Sequence, residues 1–180
     1  FSYVGYEQSG SNWWYVYGGQ VCFQATDVLP GTVGGQYGWW KVCEGKVNFD
    51  DDVCENAYGW WKITTGKVDF QYTGLAQNAC GWWMIQNGHV NFGSNGLVDN
   101  GNGWWLVRNG CVDFTYNGLV DNGNGWWLIR NGYVDFDYNG LVDNGNGWWL
   151  VKNGCVDFSY QGYVQNECGV WWVSNGQVQF

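Results

Sequence analysis

The residues of this chain best able to recognise a ligand are its tryptophans, and all 16 of them stand in eight adjacent pairs. An indole face can stack on the apolar face of a sugar ring, while a nearby carboxylate accepts hydrogen bonds from the sugar hydroxyls. In most regular copies, as at Trp104, the first Trp of a pair is followed by an Asp nine residues later and by a Tyr twelve residues later. The predicted ligand-binding residues are Trp60, Trp82, Trp104, Trp126 and Trp148, with Tyr116, Tyr138, Asp113 and Asp135. The alternative is that these Trp residues pack between neighbouring elements and seal the structure.

Catalytic residues and a metal centre are not predicted. Glycoside cleavage needs two carboxylates in a cleft, one with a raised pKa, whereas the repeated acids lie on a face expected to be solvated. His89 is the only histidine, and no Ser/His/Asp or Cys/His arrangement recurs around it. Three loops that read DNGNG could offer oxygen ligands to Ca²⁺, but the same residues suit plain tight turns. These loops cover residues 99–103, 121–125 and 143–147, and calcium is the one cofactor left open.

The elements that position the tryptophans are predicted to be β-hairpins. In the segment GWWLVRNGCVDF, residues 103–114, two β-prone runs flank Asn109-Gly110. Asn-Gly is favoured in a type I′ turn because both residues tolerate a positive φ. Since side chains alternate along a strand, this register defines two faces of the hairpin. One face holds Trp105, Val107, Val112 and Phe114, and the other holds Trp104, Leu106, Arg108, Cys111 and Asp113.

Equivalent positions in the other copies indicate which face is buried. The Val107 position always holds Val or Ile, and the Phe114 position always holds Phe. The Leu106 position, in contrast, also accepts Tyr15, Lys41, Lys62 and Met84. A position that accepts Lys is at least partly in contact with water. We therefore expect the Trp105 face to form the core and the Trp104 face to be exposed.

The hairpin recurs eight times, so residues 1–180 are expected to form a single repeat array. Successive Phe residues are spaced by 22, 26 and 21 residues and then by 22 five times. The array is thus irregular at 1–58, where residues 24–37 are interpreted as a loop with its own turn, and regular at 59–180. Each regular connection carries an apolar pair such as Leu119-Val120, which is expected to tuck under the next hairpin. In the last copy Val170 takes the outer-Trp position, which turns Trp171 inward and Trp172 outward, as in an end cap.

No segment shows a helical apolar period. The predicted fold class is all-β, an elongated β-solenoid of stacked β-hairpin repeats of about 22 residues each.

Charge and cysteine content restrict the partners and the compartment. A net charge of −9 argues against nucleic acid and anionic membrane surfaces, and no apolar run is long enough for membrane insertion. Seven cysteines without a CxxC spacing indicate disulfides and an extracellular setting, with one thiol left over. No segment of the sequence is predicted to be a signal peptide. The chain begins and ends on Phe in the same register, and is therefore expected to be a segment of a longer array or a processed form.

The pattern of Gly-Trp, short strand, Asn-Gly, second strand and Asn-Gly-Leu-Val resembles the aromatic and glycine-rich cell-wall-binding repeats of Gram-positive surface proteins. That superfamily includes choline-binding modules, glucan-binding repeats and the repeats of clostridial toxins. The resemblance implies stacked hairpins, ligands held in aromatic pockets between them, and a secreted or bacterial-surface module without catalysis. The sequence departs from the choline-binding form at Cys111-Val112-Asp113, where a further aromatic residue is expected.

Three hypotheses for function follow. The first is a non-enzymatic module that binds glycan, in the cell wall or on a host, through outer-face Trp residues and with avidity across copies. The second is an adhesin that binds a host protein through the same aromatic face. The third is a stalk or fibre that self-associates end to end.

Overall fold

The computed structural model describes residues 3–180, and these residues form 24 β-strands without any helix. Each of the eight copies contributes three antiparallel strands. The first strands are β1 (Val4–Ser9), β4 (Asp27–Val33), β7 (Asp52–Asn56), β10 (Gly74–Asn78), β13 (Gly96–Asp99), β16 (Gly118–Asp121), β19 (Gly140–Asp143) and β22 (Gln161–Asn166). The middle strands are β2 (Asn12–Tyr17), β5 (Gln36–Cys43), β8 (Gly59–Thr64), β11 (Gly81–Gln86), β14 (Trp104–Arg108), β17 (Trp126–Arg130), β20 (Trp148–Lys152) and β23 (Gly169–Ser174). The third strands are β3 (Gln20–Val21), β6 (Lys46–Val47), β9 (Lys67–Val68), β12 (His89–Val90), β15 (Cys111–Val112), β18 (Tyr133–Val134), β21 (Cys155–Val156) and β24 (Gln177–Gln179).

The strands are grouped into two compact units. The first runs to Ser94 and includes Asn109–Cys111, and the second comprises Asn95–Arg108 and Val112–Phe180. Hairpins stack within each unit: β17 pairs with β21 of the following hairpin, just as β5 pairs with β9. The all-β fold of stacked β-hairpin repeats is therefore confirmed, whereas the expected single array over residues 1–180 stays a prediction.

The predicted hairpin turn is confirmed. Asn109 and Gly110 have φ values of 50° and 76°, the positive values that a type I′ turn requires. Across the equivalent turn of the next copy, Ile129 lies opposite Val134 and Arg130 opposite Tyr133. The third strand is shorter than predicted and ends at its Val, because the next residue begins another turn. Asp113 makes this turn, where its backbone carbonyl accepts a hydrogen bond from the Tyr116 amide at 3.4 Å.

The connection between copies contains a strand that the sequence analysis missed. The apolar pair Leu119-Val120 belongs to β16, in which Leu119 lies opposite Leu128 and Val120 opposite Trp127. Leu119 also packs against the buried Val151 of the following hairpin, as expected. The repeat is therefore a three-stranded unit, because two aliphatic residues between glycine-rich turns suffice to extend the sheet by one strand.

The prediction that one face of the hairpin is exposed is wrong. Ile129 and Val134 are fully buried, as expected, but so is Leu128 of the opposite face, at 4% exposure. Leu128 packs against Val151 and Val156 of the following hairpin. One face of each hairpin thus covers the other face of the next, and the core is the series of joints between hairpins. The Phe residues predicted for the core lie at the margin instead and are 36–86% exposed.

Lys fits the buried Leu position because its polar end reaches past the apolar joint. Lys62 is only 8% exposed, and its ammonium lies 3.4 Å from the Asp51 carboxylate at the edge. Long side chains commonly bury their methylenes in this way while the charge stays near water. The presence of Lys at this position is therefore compatible with burial of this face of the hairpin.

The two ends of the chain depart from the regular repeat in different ways. In the last hairpin Trp171 takes the inward position opposite Val164, whereas Val170 and Trp172 are exposed, as predicted. Near the other end, residues 24–37 were predicted to be a loop. Half of that segment is instead the strand β4, which pairs with β5 along its length, and the predicted turn at Gly34-Gly35 is present.

Candidate ligand-binding site

The predicted Asp and Tyr ligands are engaged within the chain. The Asp113 carboxylate lies 3.2 Å from the Arg108 guanidinium, which in turn lies 4.2 Å from the centre of the Tyr116 ring. The Tyr116 hydroxyl donates to the Leu119 carbonyl at 3.0 Å. Hydrogen bonds from the hydroxyl and the amide of Thr115 lower the pKa of Asp113. The same arrangement recurs at Arg130, Asp135 and Tyr138. These groups stabilise the connection between copies and are not brought together with the Trp residues.

The predicted Trp ligands lie in the joints between hairpins. Trp60, Trp82, Trp104, Trp126 and Trp148 are all half-buried in the middle strands. The Trp126 ring centre lies 4.8 Å from that of Trp149 in the next hairpin, and Trp60 and Trp83 are related in the same way at 5.3 Å. Packing between hairpins, the alternative considered for these residues, therefore describes their environment.

A third ring completes the joint in three places. The Phe158 ring lies 5.6 Å from Trp126 and 5.7 Å from Trp149, so the three aromatic groups touch one another. The same triad occurs at Trp39, Trp61 and Phe70 and at Trp60, Trp83 and Phe92. The inner Trp and the Phe were assigned to the core from sequence. The Phe is constant in every copy, but the sequence does not show that the third strand ends before it. Without that information, the Phe is assigned to the core and not to the aromatic cluster between hairpins.

At the last hairpin the equivalent residues enclose a cavity of about 260 Å³. Trp148, Trp171 and Phe180 supply three aromatic groups, and Leu141 and Val178 add aliphatic walls. The Trp171 and Phe180 ring centres lie 5.6 Å apart at a steep angle. No charged residue lines this cavity. Its surface suits a compact group whose outside is made of methyl groups.

The side-chain oxygen of the one amide that lines the cavity is already paired. Asn166 lines it together with Cys168, but the Asn166 side-chain oxygen accepts the Trp171 indole N–H at 3.0 Å and the Cys168 amide at 2.9 Å. The amide side chain thus fixes the orientation of the indole ring. Little hydrogen-bonding capacity remains for the several hydroxyls of a sugar ring.

Within residues 3–180 there is no group of three or more His, Cys, Asp or Glu residues that could hold a metal ion. In one DNGNG loop the Asp99 carboxylate accepts the Gly101 amide at 2.8 Å, which is a turn-forming contact. The disulfides expected from sequence are not supported, since all seven cysteines are free thiols. Burial raises the pKa of the Cys54 thiol to about 12. Nor does any helix in this part of the chain offer a membrane span.

Comparison with known proteins gives the following similarities. The sequence profile of the choline-binding repeat matches residues 2–22, 71–91, 93–113, 115–135 and 137–157, which is more than half of the chain. No curated protein sequence matches significantly. Among solved structures, CbpJ from Streptococcus pneumoniae TIGR4 is 19% identical, with a TM-score of 0.39 over 95% of this chain. Choline binding protein F from Streptococcus pneumoniae is 20% identical, with a TM-score of 0.38 over 96%. The chain spans 58% of the length of each of these two proteins.

Proposed function

Because the chain belongs to the choline-binding repeat family, we propose that it is a non-catalytic binding module of the bacterial cell surface that holds trimethylammonium headgroups between the rings of successive hairpins. In this proposal the headgroup is attached to a cell-wall glycan. The glycan predicted from the sequence is therefore the polymer that carries the headgroup, and the pocket holds the headgroup and not a sugar ring. The observation behind this proposal is the 260 Å³ cavity with three aromatic rings and no charged wall.

The chemistry of the cavity favours a quaternary cation over a sugar. A trimethylammonium group presents methyl groups to the rings and spreads its charge over them, so it needs no hydrogen-bond partner. Each aromatic face that it meets contributes about 0.5–2 kcal/mol, more as the site is better shielded from water. A sugar ring in the same place would leave its hydroxyls unpaired, which costs about 1–3 kcal/mol for each buried group. The net charge of −9 also attracts a cation and not an anionic polymer.

The sequence-based objection to choline binding is removed by the way the hairpins pack. That objection rested on the missing aromatic residue in the second strand of the same hairpin. The rings around the cavity come instead from two hairpins: Trp148 from the earlier one, and Trp171 and Phe180 from the later one.

The proposal can be tested by calorimetric titration with choline chloride. Trp171→Ala removes a wall of the cavity and should abolish binding, whereas Trp172→Ala removes the neighbouring indole, which does not line the cavity, and should leave binding unchanged. Circular dichroism of both variants would check that the hairpins still form. Equal affinities in all three proteins would refute the proposed site. The absence of any choline binding by the folded wild-type protein would favour the alternative of a host-protein partner.

A further inference from the structure

A second aromatic recess lies in the irregular part of the chain, within the stretch of residues 23–70 that the choline-binding repeat profile does not match. This groove has a volume of about 430 Å³. Its aromatic lining is Tyr37, Trp39 and Tyr58, and Asp27 and Pro30 contribute along its length. It belongs to different hairpins from the Trp148 cavity and differs from that cavity in its chemistry.

The two tyrosines are a local departure from the repeat. The sequence Tyr-Gly-Trp-Trp occurs only at residues 37–40 and 58–61, in two consecutive copies. The position before the glycine in later copies holds Cys80, Asn102, Asn124, Asn146 and Cys168. The hairpin therefore forms with small or polar residues at this position, and the fold does not require the tyrosines.

Both tyrosines are presented to solvent. Tyr37 is 72% exposed and Tyr58 is 77% exposed, and together with Trp39 they form a contiguous aromatic patch of the kind that marks interaction sites. Within residues 3–180 neither phenol hydroxyl makes a hydrogen bond, so both remain able to donate and accept. Exposed tyrosines of this kind combine an apolar ring face with a polar tip.

The ring surface is held firmly from behind. Trp39 packs against Trp61 at 5.2 Å and Phe70 at 6.1 Å. Tyr58 lies 5.6 Å from Trp39 with its ring tilted by 48°, and its amide donates to the Asn56 side-chain oxygen at 2.9 Å. A fixed platform loses little entropy when a flat ligand stacks on it.

The groove also carries a carboxylate at some distance from the rings. Asp27 lies opposite Val42 and Pro30 lies opposite Trp39, so the acid is three residues along the strand from the platform. Because side chains alternate along a strand, residues three apart point to opposite faces, so the Asp27 side chain lies on the face away from Trp39. One Asp27 oxygen accepts the Val28 amide at 2.6 Å, and the polar groups offered beside the rings are the phenol hydroxyls of Tyr37 and Tyr58.

From this geometry we propose that the groove is a carbohydrate subsite, separate from the headgroup cavity, that binds a neutral oligosaccharide. One sugar ring stacks on Trp39 and the tyrosines, and the phenol hydroxyls of Tyr37 and Tyr58 exchange hydrogen bonds with the hydroxyls of the sugar. A quaternary ammonium ion fits less well, because the rings lie open to water and the only acid stands away from them. Anionic glycans are disfavoured by the charge of Asp27 and by the net charge of the chain. This site goes beyond the proposed headgroup binding and does not depend on it.

The test is calorimetric titration of the full chain with cellotetraose, maltotetraose and chitotetraose, each in the presence of saturating choline chloride. We expect saturable binding of at least one sugar, unaffected by choline. The double variant Tyr37→Asn/Tyr58→Asn places at both positions the residue that later copies use, so it should fold, and it should bind about tenfold more weakly or not at all. Tyr17→Asn removes a tyrosine of similar exposure outside the groove and should bind as the wild type does.

Three results would overturn this proposal. They are the absence of binding by all three sugars, unchanged binding in the folded double variant, and displacement of the sugar by choline, which would identify the groove as a cation cage. Loss of choline binding in Trp171→Ala with intact sugar binding would separate the two sites. Choline binding and sugar binding that both stay intact in Trp171→Ala would refute the headgroup proposal alone.

Discussion

Because one hairpin packs closely on the next, we expect substitution of a turn glycine at this contact to destabilise the fold. Gly132 occupies the second position of a type I′ turn with φ at 77°. A Cβ atom added there would lie 2.5 Å from the Asp113 carbonyl oxygen and 2.9 Å from the Phe114 Cα. Both are backbone atoms of the preceding connection, so neither can move aside cheaply. The Gly132 carbonyl also accepts the Leu106 amide at 2.8 Å, which fixes the distance between the hairpins.

Gly123 is a matched control for the same substitution. Its φ is 83°, close to that of Gly132, but an added Cβ would meet no atom within 4 Å. Both substitutions to Ala force an L-residue into the left-handed region, which costs about 1–2 kcal/mol, partly offset by about 0.4–1 kcal/mol from the less flexible unfolded chain. Gly132→Ala adds the cost of overpacking, about 1–3 kcal/mol. The difference between the two variants therefore isolates the contact between hairpins.

The assay is urea denaturation followed by Trp fluorescence, with thermal melting as a second readout. Gly123→Ala should lower the free energy of unfolding by about 1 kcal/mol or less, and Gly132→Ala by about 2–4 kcal/mol. For a chain of this size each kcal/mol lowers Tm by about 2–4 °C. Equal losses in the two variants would refute close packing between the turn and the preceding connection.

Three further outcomes follow from individual side chains. Lys62→Leu introduces, at a buried position, the residue that later copies have there. Since the partner Asp51 is exposed, we expect the free energy of unfolding to stay the same or to rise by up to about 1 kcal/mol. A loss above about 2 kcal/mol would contradict an apolar contact between hairpins at this position. The pKa of Asp157 is lowered by hydrogen bonding from the Ser159 hydroxyl and by Lys152, so its ionised form stabilises the folded state above the ordinary carboxyl range, and that contribution is lost as pH falls through the lowered pKa. Asp157→Asn should thus lose less stability than the wild type between about pH 6 and pH 2, and equal losses in urea titrations would argue against this coupling. Because burial raises the pKa of Cys54, iodoacetamide at about pH 8 should label the exposed Cys80 in the native protein but Cys54 only after unfolding. Equal labelling rates of the two cysteines, measured by peptide mass spectrometry, would count against a buried Cys54 thiol.

Local features of the fold were predictable because they depend on a few adjacent residues. Asn109-Gly110 specifies its turn through the φ values that only these residue types adopt easily. The eightfold repeat follows from the constant Phe spacing, and the inward shift of Trp171 follows from one Val inserted before it. Each of these inferences concerns a single hairpin.

Features that depend on contact between copies were not predictable in the same way. Burial of Leu128 requires the next hairpin to cover it, and alternation along one strand cannot reveal that neighbour. Lys62 suggested an exposed position, but its methylene chain is buried and only its ammonium group reaches the edge of the structure. The aromatic triads were missed because they join the outer Trp of one copy to the inner Trp and the Phe of the next. Asp113 and Tyr116 were predicted to face a ligand, and the strand pattern alone did not reveal that Arg108 of the same hairpin contacts both of them.

The measurement that tests the central claim most directly compares choline with 3,3-dimethyl-1-butanol, its uncharged isostere of the same shape, in calorimetric titrations of the wild-type protein. If the rings of Trp148, Trp171 and Phe180 recognise a quaternary cation, choline should bind about tenfold or more tightly than the alcohol, since the two differ chiefly in the charge that the aromatic faces attract. Equal affinities for the two compounds would show that the cavity is only an apolar recess and would contradict headgroup recognition.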